Sequence, residues 1–137
     1  MAQVIGLGGV FLKFQQPEAM RSWYKDVLGM DTNAYGVLFE FNGGTHPTKG
    51  YCQLGTFEKS SDYFGAPNQQ AMLNFRVDDL VTFKAQLEQA RVSIVDEIES
   101  YDYGKFLHIE DPEGNRIELW EPVDSEFEKV GDAMPMK

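Results

Sequence analysis

Met72-Leu73-Asn74-Phe75-Arg76-Val77-Asp78-Asp79-Leu80 decides the fold, because it carries a strand directly into a helix. The alternation from Met72 to Val77 is that of a half-buried strand. Asp78 supplies a capping oxygen, and Leu80, Phe83, Leu87 and Ala90 fall on one face of the helix that follows. The Asp78-Asp79 pair is therefore read as helix capping and not as catalysis. The same grammar stands earlier in the chain. Val10-Phe11-Leu12-Lys13-Phe14 reads as a strand, and Gln15-Gln16-Pro17-Glu18 opens a helix, with Pro17 in its first turn and Glu18 near its positive end. Met20, Trp23, Tyr24, Val27 and Leu28 keep helical spacing, and Gly29 ends the helix. Val10 corresponds to Leu73, and Gln16 to Asp79.

Each helix is followed by further strands. After the first come Val37–Phe41, a Gly43-Gly44 turn and Tyr51–Leu54. After the second come Val92–Val95, then Phe106–Glu110, a turn at Asp111–Asn115, and Ile117–Trp120. The unit is thus strand, helix, then two or three strands, present twice. Two copies predict an α+β domain, a mixed sheet with helices on its outer face and a concave opposite face, a cup. Module one covers about residues 5–57 and module two about 70–122, with a polar, peripheral tail over 124–137.

The chain of 137 residues suits one domain with a real core. Two His and one Cys exclude zinc ribbons and disulfide scaffolds, but not a metal site supported by carboxylates. Lys and Arg number 12 against 22 Asp and Glu, for a net charge of −10. Nucleic acid and anionic membranes are therefore poor partners. No signal peptide or membrane span is read in the chain, and Cys52 has no partner for an intrachain disulfide, so the expected location is cytoplasmic.

Three stretches resemble the vicinal oxygen chelate superfamily, which includes glyoxalase I, bleomycin-resistance proteins and extradiol dioxygenases. They are Trp23–Gly29, Phe75–Leu80 and, most specifically, Asp111-Pro112-Glu113-Gly114-Asn115-Arg116-Ile117-Glu118-Leu119-Trp120. The resemblance implies two βαβββ modules, commonly a homodimer, and a cup that holds a divalent metal on His, Gln or Glu from four strands. Carried onto this chain, the ligand positions fall at Gly9, Met72, Cys52 or Gln53, and Glu118. Gly9 and Met72 are not ligands for such ions, so only Glu118 clearly matches.

Strand alternation places Gly9, Phe11 and Lys13 of one strand in the cup, with Met72, Asn74 and Arg76 of the other. The Asp111–Asn115 turn pairs His108 with Glu118, flanked by Phe106 and Trp120. The functional reading makes Glu118 and His108 an acid/base pair in a ligand site lined by Phe11, Lys13, Met72, Asn74, Arg76, Phe106 and Trp120. The competing reading has Glu118 neutralised by Arg76 or Lys13, with His108 a core residue. His46 and the Asp96–Glu99 run are read as solvated, and Cys52 as a small hydrophobe. Tyr35, Tyr63, Phe64, Tyr101 and Tyr103 are rim candidates.

These features lead to a small-molecule-binding protein of the glyoxalase/bleomycin-resistance type, with most of the usual metal ligands missing and no cofactor required. The alternative is a metal-dependent lyase, isomerase or dioxygenase that uses Glu118 and His108 in an altered site. A third possibility is an accessory domain whose aromatic residues, ten Phe, six Tyr and two Trp, serve an interface.

Overall fold

A computed structural model describes residues 1–42, 49–129 and 131–136. Module one runs β1 (Val4–Phe14), α1 (Pro17–Leu28), β2 (Thr32–Asn33), β3 (Gly36–Asn42) and β4 (Lys49–Glu58). Module two runs β5 (Ala71–Val77), α2 (Leu80–Gln89), β6 (Ser93–Ile94), β7 (Glu99–Tyr101), β8 (Gly104–Glu110) and β9 (Arg116–Pro122). The chain then continues through α3 (Asp124–Glu128) and β10 (Met134–Pro135). The ten strands form one mixed sheet in the order β10-β3-β4-β1-β5-β9-β8-β6, with β2 on β3 and β7 on β8. The modules join through antiparallel β1 and β5. Inside each module the first and last strands run parallel.

The local signals act largely as their chemistry dictates. Gly29 closes α1 in the left-handed conformation at φ 72°, where its N–H donates to the Lys25 carbonyl and the Met30 N–H to the Tyr24 carbonyl. The cap of α2 is displaced by one residue. Asp79 accepts from the Thr82 N–H, while Asp78 accepts from the Gln3 N–H on the neighbouring chain end.

The two helices bury very different amounts of surface. Leu80 is fully buried, and α2 adds Phe83 and Leu87 to a core of Val77, Leu107, Ile109 and Leu119 on the outer face of the sheet. In α1 only Pro17 is buried, and Trp23, Val27 and Leu28 stay exposed. The apolar stripe read in its sequence is a stripe, but most of it does not meet the sheet.

The concave face carries its own packing. Phe11, Met72 and Phe64 form a second cluster with Phe57, and Phe64 comes from the connection between β4 and β5 that folds over this end of the cup. The tail expected to be peripheral returns to the sheet. Its β10 pairs parallel to β3, and Phe127 packs on Trp120 and Tyr51, with ring centroids 5.5 and 5.3 Å apart. One aromatic residue with an apolar surface to cover is enough to dock an otherwise polar segment.

Candidate functional site

The hairpin of β8 and β9 sets the centre of the site. Its register pairs His108 with Glu118 and Phe106 with Trp120, as alternation and the turn length require. The Phe106 and Trp120 rings stack at 5.9 Å. His108 Nε2 lies 2.9 Å from Glu118 Oε2, and His108 Nδ1 lies 2.7 Å from Asp96 Oδ2. The His108 backbone N–H donates to the other Asp96 oxygen at 2.8 Å, which fixes that carboxylate beside the ring. Asn74 Nδ2 donates to Glu118 Oε1 at 2.6 Å, and the Tyr63 hydroxyl donates to Glu118 Oε2.

These contacts set the protonation of the site. Burial disfavours a charged imidazole, but hydrogen bonds to Glu118 and Asp96, followed by their charges, outweigh it and raise His108 above its ordinary pKa. The ring therefore favours the imidazolium form, with both nitrogens donating. Burial, then the charge of Glu118 and the bond to it, push the Tyr63 phenol far up, so it stays a neutral donor. Glu118, 1% exposed, receives three donors and so is neutralised where it is buried.

The wall borders a cup with two lobes that share Phe11, Tyr103 and Phe106. The first, about 650 Å³, contains His108, Glu118, Asp96, Glu99 and Arg116 beside Tyr63 and Tyr101. The second, about 600 Å³, is more apolar, with Trp120, Phe127 and Tyr35 around Asn74, Gln53 and Asp132. Volumes of this size suit a small organic molecule.

Of the residues singled out in the sequence, Phe11, Asn74, Phe106, His108, Glu118 and Trp120 line the lobes. Lys13, Met72 and Arg76 sit on the same face of the sheet but are not among the lining residues. Met72 is 1% exposed within the phenylalanine cluster. Lys13 lies over the Phe64 ring at 5.1 Å, and its ammonium has no hydrogen-bond partner among the described residues. Arg76 binds both oxygens of Asp124, at 2.9 and 2.5 Å, and stands between the Phe41 and Trp120 rings. Neither cation is the counter-ion of Glu118; His108 is.

Gln53, not Cys52, faces the cup, because Gln53 lines the second lobe and side chains alternate along β4. Burial raises the Cys52 thiol above its ordinary pKa, only partly opposed by Arg76, so it is held as the neutral thiol. Asp96 departs from the solvated reading of its run, which the exposed Glu97 and Glu99 keep, since its carboxylate is bound to His108. It was missed because Asp96 lies in the connection after β6 and its partner on β8, and no local spacing announces that contact. The rim candidates Tyr35, Tyr63, Tyr101 and Tyr103 all line a lobe, whereas Phe64 is fully buried. Asp124, Phe127 and Asp132 had one signal in the sequence, an aromatic residue within a polar tail. His46 lies outside the described residues.

The duplicated modules, the cup and its hairpin wall agree with comparison to known proteins. A family model described as Glyoxalase/Bleomycin resistance protein/Dioxygenase superfamily matches residues 7–119. The chain belongs to this superfamily. No curated protein matches its sequence. Among solved structures, methylmalonyl-CoA epimerase of Streptomyces coelicolor in complex with 2-nitronate-propionyl-CoA superposes with a TM-score of 0.66 at 13% identity, over 88% of this chain and 99% of that one. Methylmalonyl-CoA epimerase from Mycobacterium tuberculosis gives 0.58 at 20% identity, over 91% and 93%. A glyoxalase/bleomycin resistance protein/dioxygenase superfamily member from Vibrio splendidus 12B01 gives 0.53 at 15%, over 88% and 99%. At these identities the likeness is one of fold.

The positions that the resemblance suggested for metal ligands can now be followed across the sheet. Gln53 pairs with Gly9, Gly9 with Asn74, and Asn74 with Glu118, giving one row over four neighbouring strands. Asn74 and not Met72 therefore stands beside Glu118. Gln53 Nε2 donates to the Leu54 carbonyl at 3.2 Å. Among the described residues no three His, Cys, Asp or Glu side chains form a group arranged to hold a metal ion.

Proposed function

We propose that this protein binds a small organic molecule in its cup without the divalent metal of its superfamily. The observation that carries the reading is the engagement of Glu118. Its two oxygens already receive Asn74, Tyr63 and His108, so a metal at Glu118 has to displace hydrogen bonds the fold has built. The other positions do not fit an ion either. Gly9 has no donor, the Met72 thioether is buried among phenylalanines, and Gln53 is a single neutral amide. Phe11, Asn74, Phe106 and Trp120 are the ligand contacts, and His108 with Glu118 is the polar wall that orients the ligand and holds a proton at Nε2. The protein acts in the cytoplasm as a homodimer.

The reading is tested with purified, tag-free protein treated with chelator. A panel of aromatic and glycopeptide compounds is screened by thermal shift, with metal content measured in parallel. Some members are expected to stabilise the protein equally before and after chelation, by about 2.7 kcal/mol at a hundredfold excess over Kd. Stabilisation or turnover that appears only with a stoichiometric metal supports the alternative, a lyase, isomerase or dioxygenase in which His108 and Glu118 release one another to bind the ion.

A further inference from the structure

The polar atoms left over in the cup point to the class of molecule it takes. Asn74 is 1% exposed and lines the second lobe, bonded to Glu118 of the first. Its Nδ2 is committed to the Glu118 carboxylate, which accepts and cannot donate, so the amide orientation is fixed. That leaves Asn74 Oδ1 without a donor among the described residues. The oxygen looks onto Gly8, which lines the second lobe with it, and a β-carbon at Gly8 would fall 2.0 Å away. The glycine leaves room for this oxygen. A buried acceptor with no partner is unfavourable until something donates to it.

A second unpaired acceptor belongs to Asp132, which also lines this lobe. Asp132 Oδ2 receives the Asn33 amide at 3.1 Å, while Oδ1 is buried and has no partner among the described residues. Among the described residues no Lys, Arg or His lines this lobe, and Trp120, Phe106, Tyr103 and Phe127 supply aromatic surface. Among the described residues the cations lining the first lobe are His108, held between two carboxylates, and Arg116, whose Nη1 donates to the Tyr63 carbonyl while its Nε has no partner; Asp62 and Glu99 add further negative charge. Lys13 and Arg76, the cations that favour an anionic guest, are turned to Phe64 and to Asp124. In the second lobe, two acceptors without donors and several aromatic faces, beside a first lobe with excess carboxylate, together recognise an organic cation.

We infer that the cup takes an aromatic ligand bearing a cationic amine, with its ring in the second lobe and its N–H groups on Asn74 Oδ1 and Asp132 Oδ1. The inference rests on the proposed role of the cup in binding small molecules and narrows it to a charge class.

Three indoles that share a ring and differ in charge test it by isothermal titration calorimetry: tryptamine, 3-methylindole and indole-3-propionate. Tryptamine is expected to bind about tenfold tighter than 3-methylindole, and indole-3-propionate weaker than both. Asp132→Asn, at the rim and outside the buried core, is expected to weaken tryptamine several-fold and leave 3-methylindole unchanged. Asn74→Leu removes the preference as well, where that variant folds. Indole-3-propionate or 3-methylindole binding as tightly as tryptamine overturns the inference, as does an undiminished preference in Asp132→Asn. Binding of none of the three also overturns it. The small-molecule reading itself is then judged by the broader panel, in which an anionic or neutral compound can still bind.

Discussion

The two modules repeat one chain path but divide the work unequally. Across the central row of the sheet, module one offers Gln53 and Gly9, and module two offers Asn74 and Glu118. Module two also brings His108 and Asp96, so every member of the charged wall comes from it. Module one contributes space and aromatic surface, with Gly9 and Gly55 beneath Phe11 and Gly8 beneath Asn74 and Trp120. Their helices differ in the same sense, since α2 is sealed onto the sheet and α1 leaves Trp23, Val27 and Leu28 exposed. Duplication explains the shared scaffold. The chemistry follows from which copy kept polar side chains on the concave face.

The comparison breaks most visibly at Glu118. Glu118→Leu strands a protonated imidazole, an amide and a phenol in a buried place, and is expected to cost about 3–5 kcal/mol in chemical denaturation. Gln53→Leu, at the other end of the same row, is expected to cost less than about 1 kcal/mol. Equal costs would remove the asymmetry. The helices give the next largest difference. Leu80→Ala empties a fully buried position and is expected to cost about 2–5 kcal/mol, while Leu28→Ala stays within about 0.5 kcal/mol. At Gly8, alanine would press on Asn74 Oδ1 and on the Trp120 ring 3.0 Å away, for an expected loss of about 1–3 kcal/mol.

Much of the scaffold was legible because its signals are local. Gly29, Pro17 and the Asp111–Asn115 turn act through their own backbones, and alternation fixed which face of β5 and β8 looks into the cup. The partner of Glu118 was legible in the hairpin, but the partner of His108 was not. Asp96 reaches the ring from the edge of the sheet, where β6 and the residues after it lie along β8. Tyr63 comes from the connection between modules, and Phe127 from the tail, so both contacts are set by tertiary packing. The assignment of Arg76 to Glu118 failed for a similar reason. Asp124, remote in sequence, meets the guanidinium with two parallel bonds, and Asn74 stands nearer the glutamate.

The smallest expected effect is a pH dependence. The folded pKa of His108 lies above its ordinary 6.5, so its contribution to stability is full below that pH and is lost as pH rises through the folded value. His108→Gln is expected to flatten the stability profile over that window; an unchanged slope would mean that the ring is not charged between its carboxylates.

The most direct test of the account is nitrogen NMR of the His108 ring in His46→Gln protein at pH 7, recorded before and after one equivalent of Zn²⁺. With both nitrogens donating to carboxylates, the account predicts an imidazolium spectrum that zinc leaves unchanged. A neutral ring whose Nε2 resonance moves on binding the ion would contradict it, and would return Glu118 and His108 to the role of metal ligands.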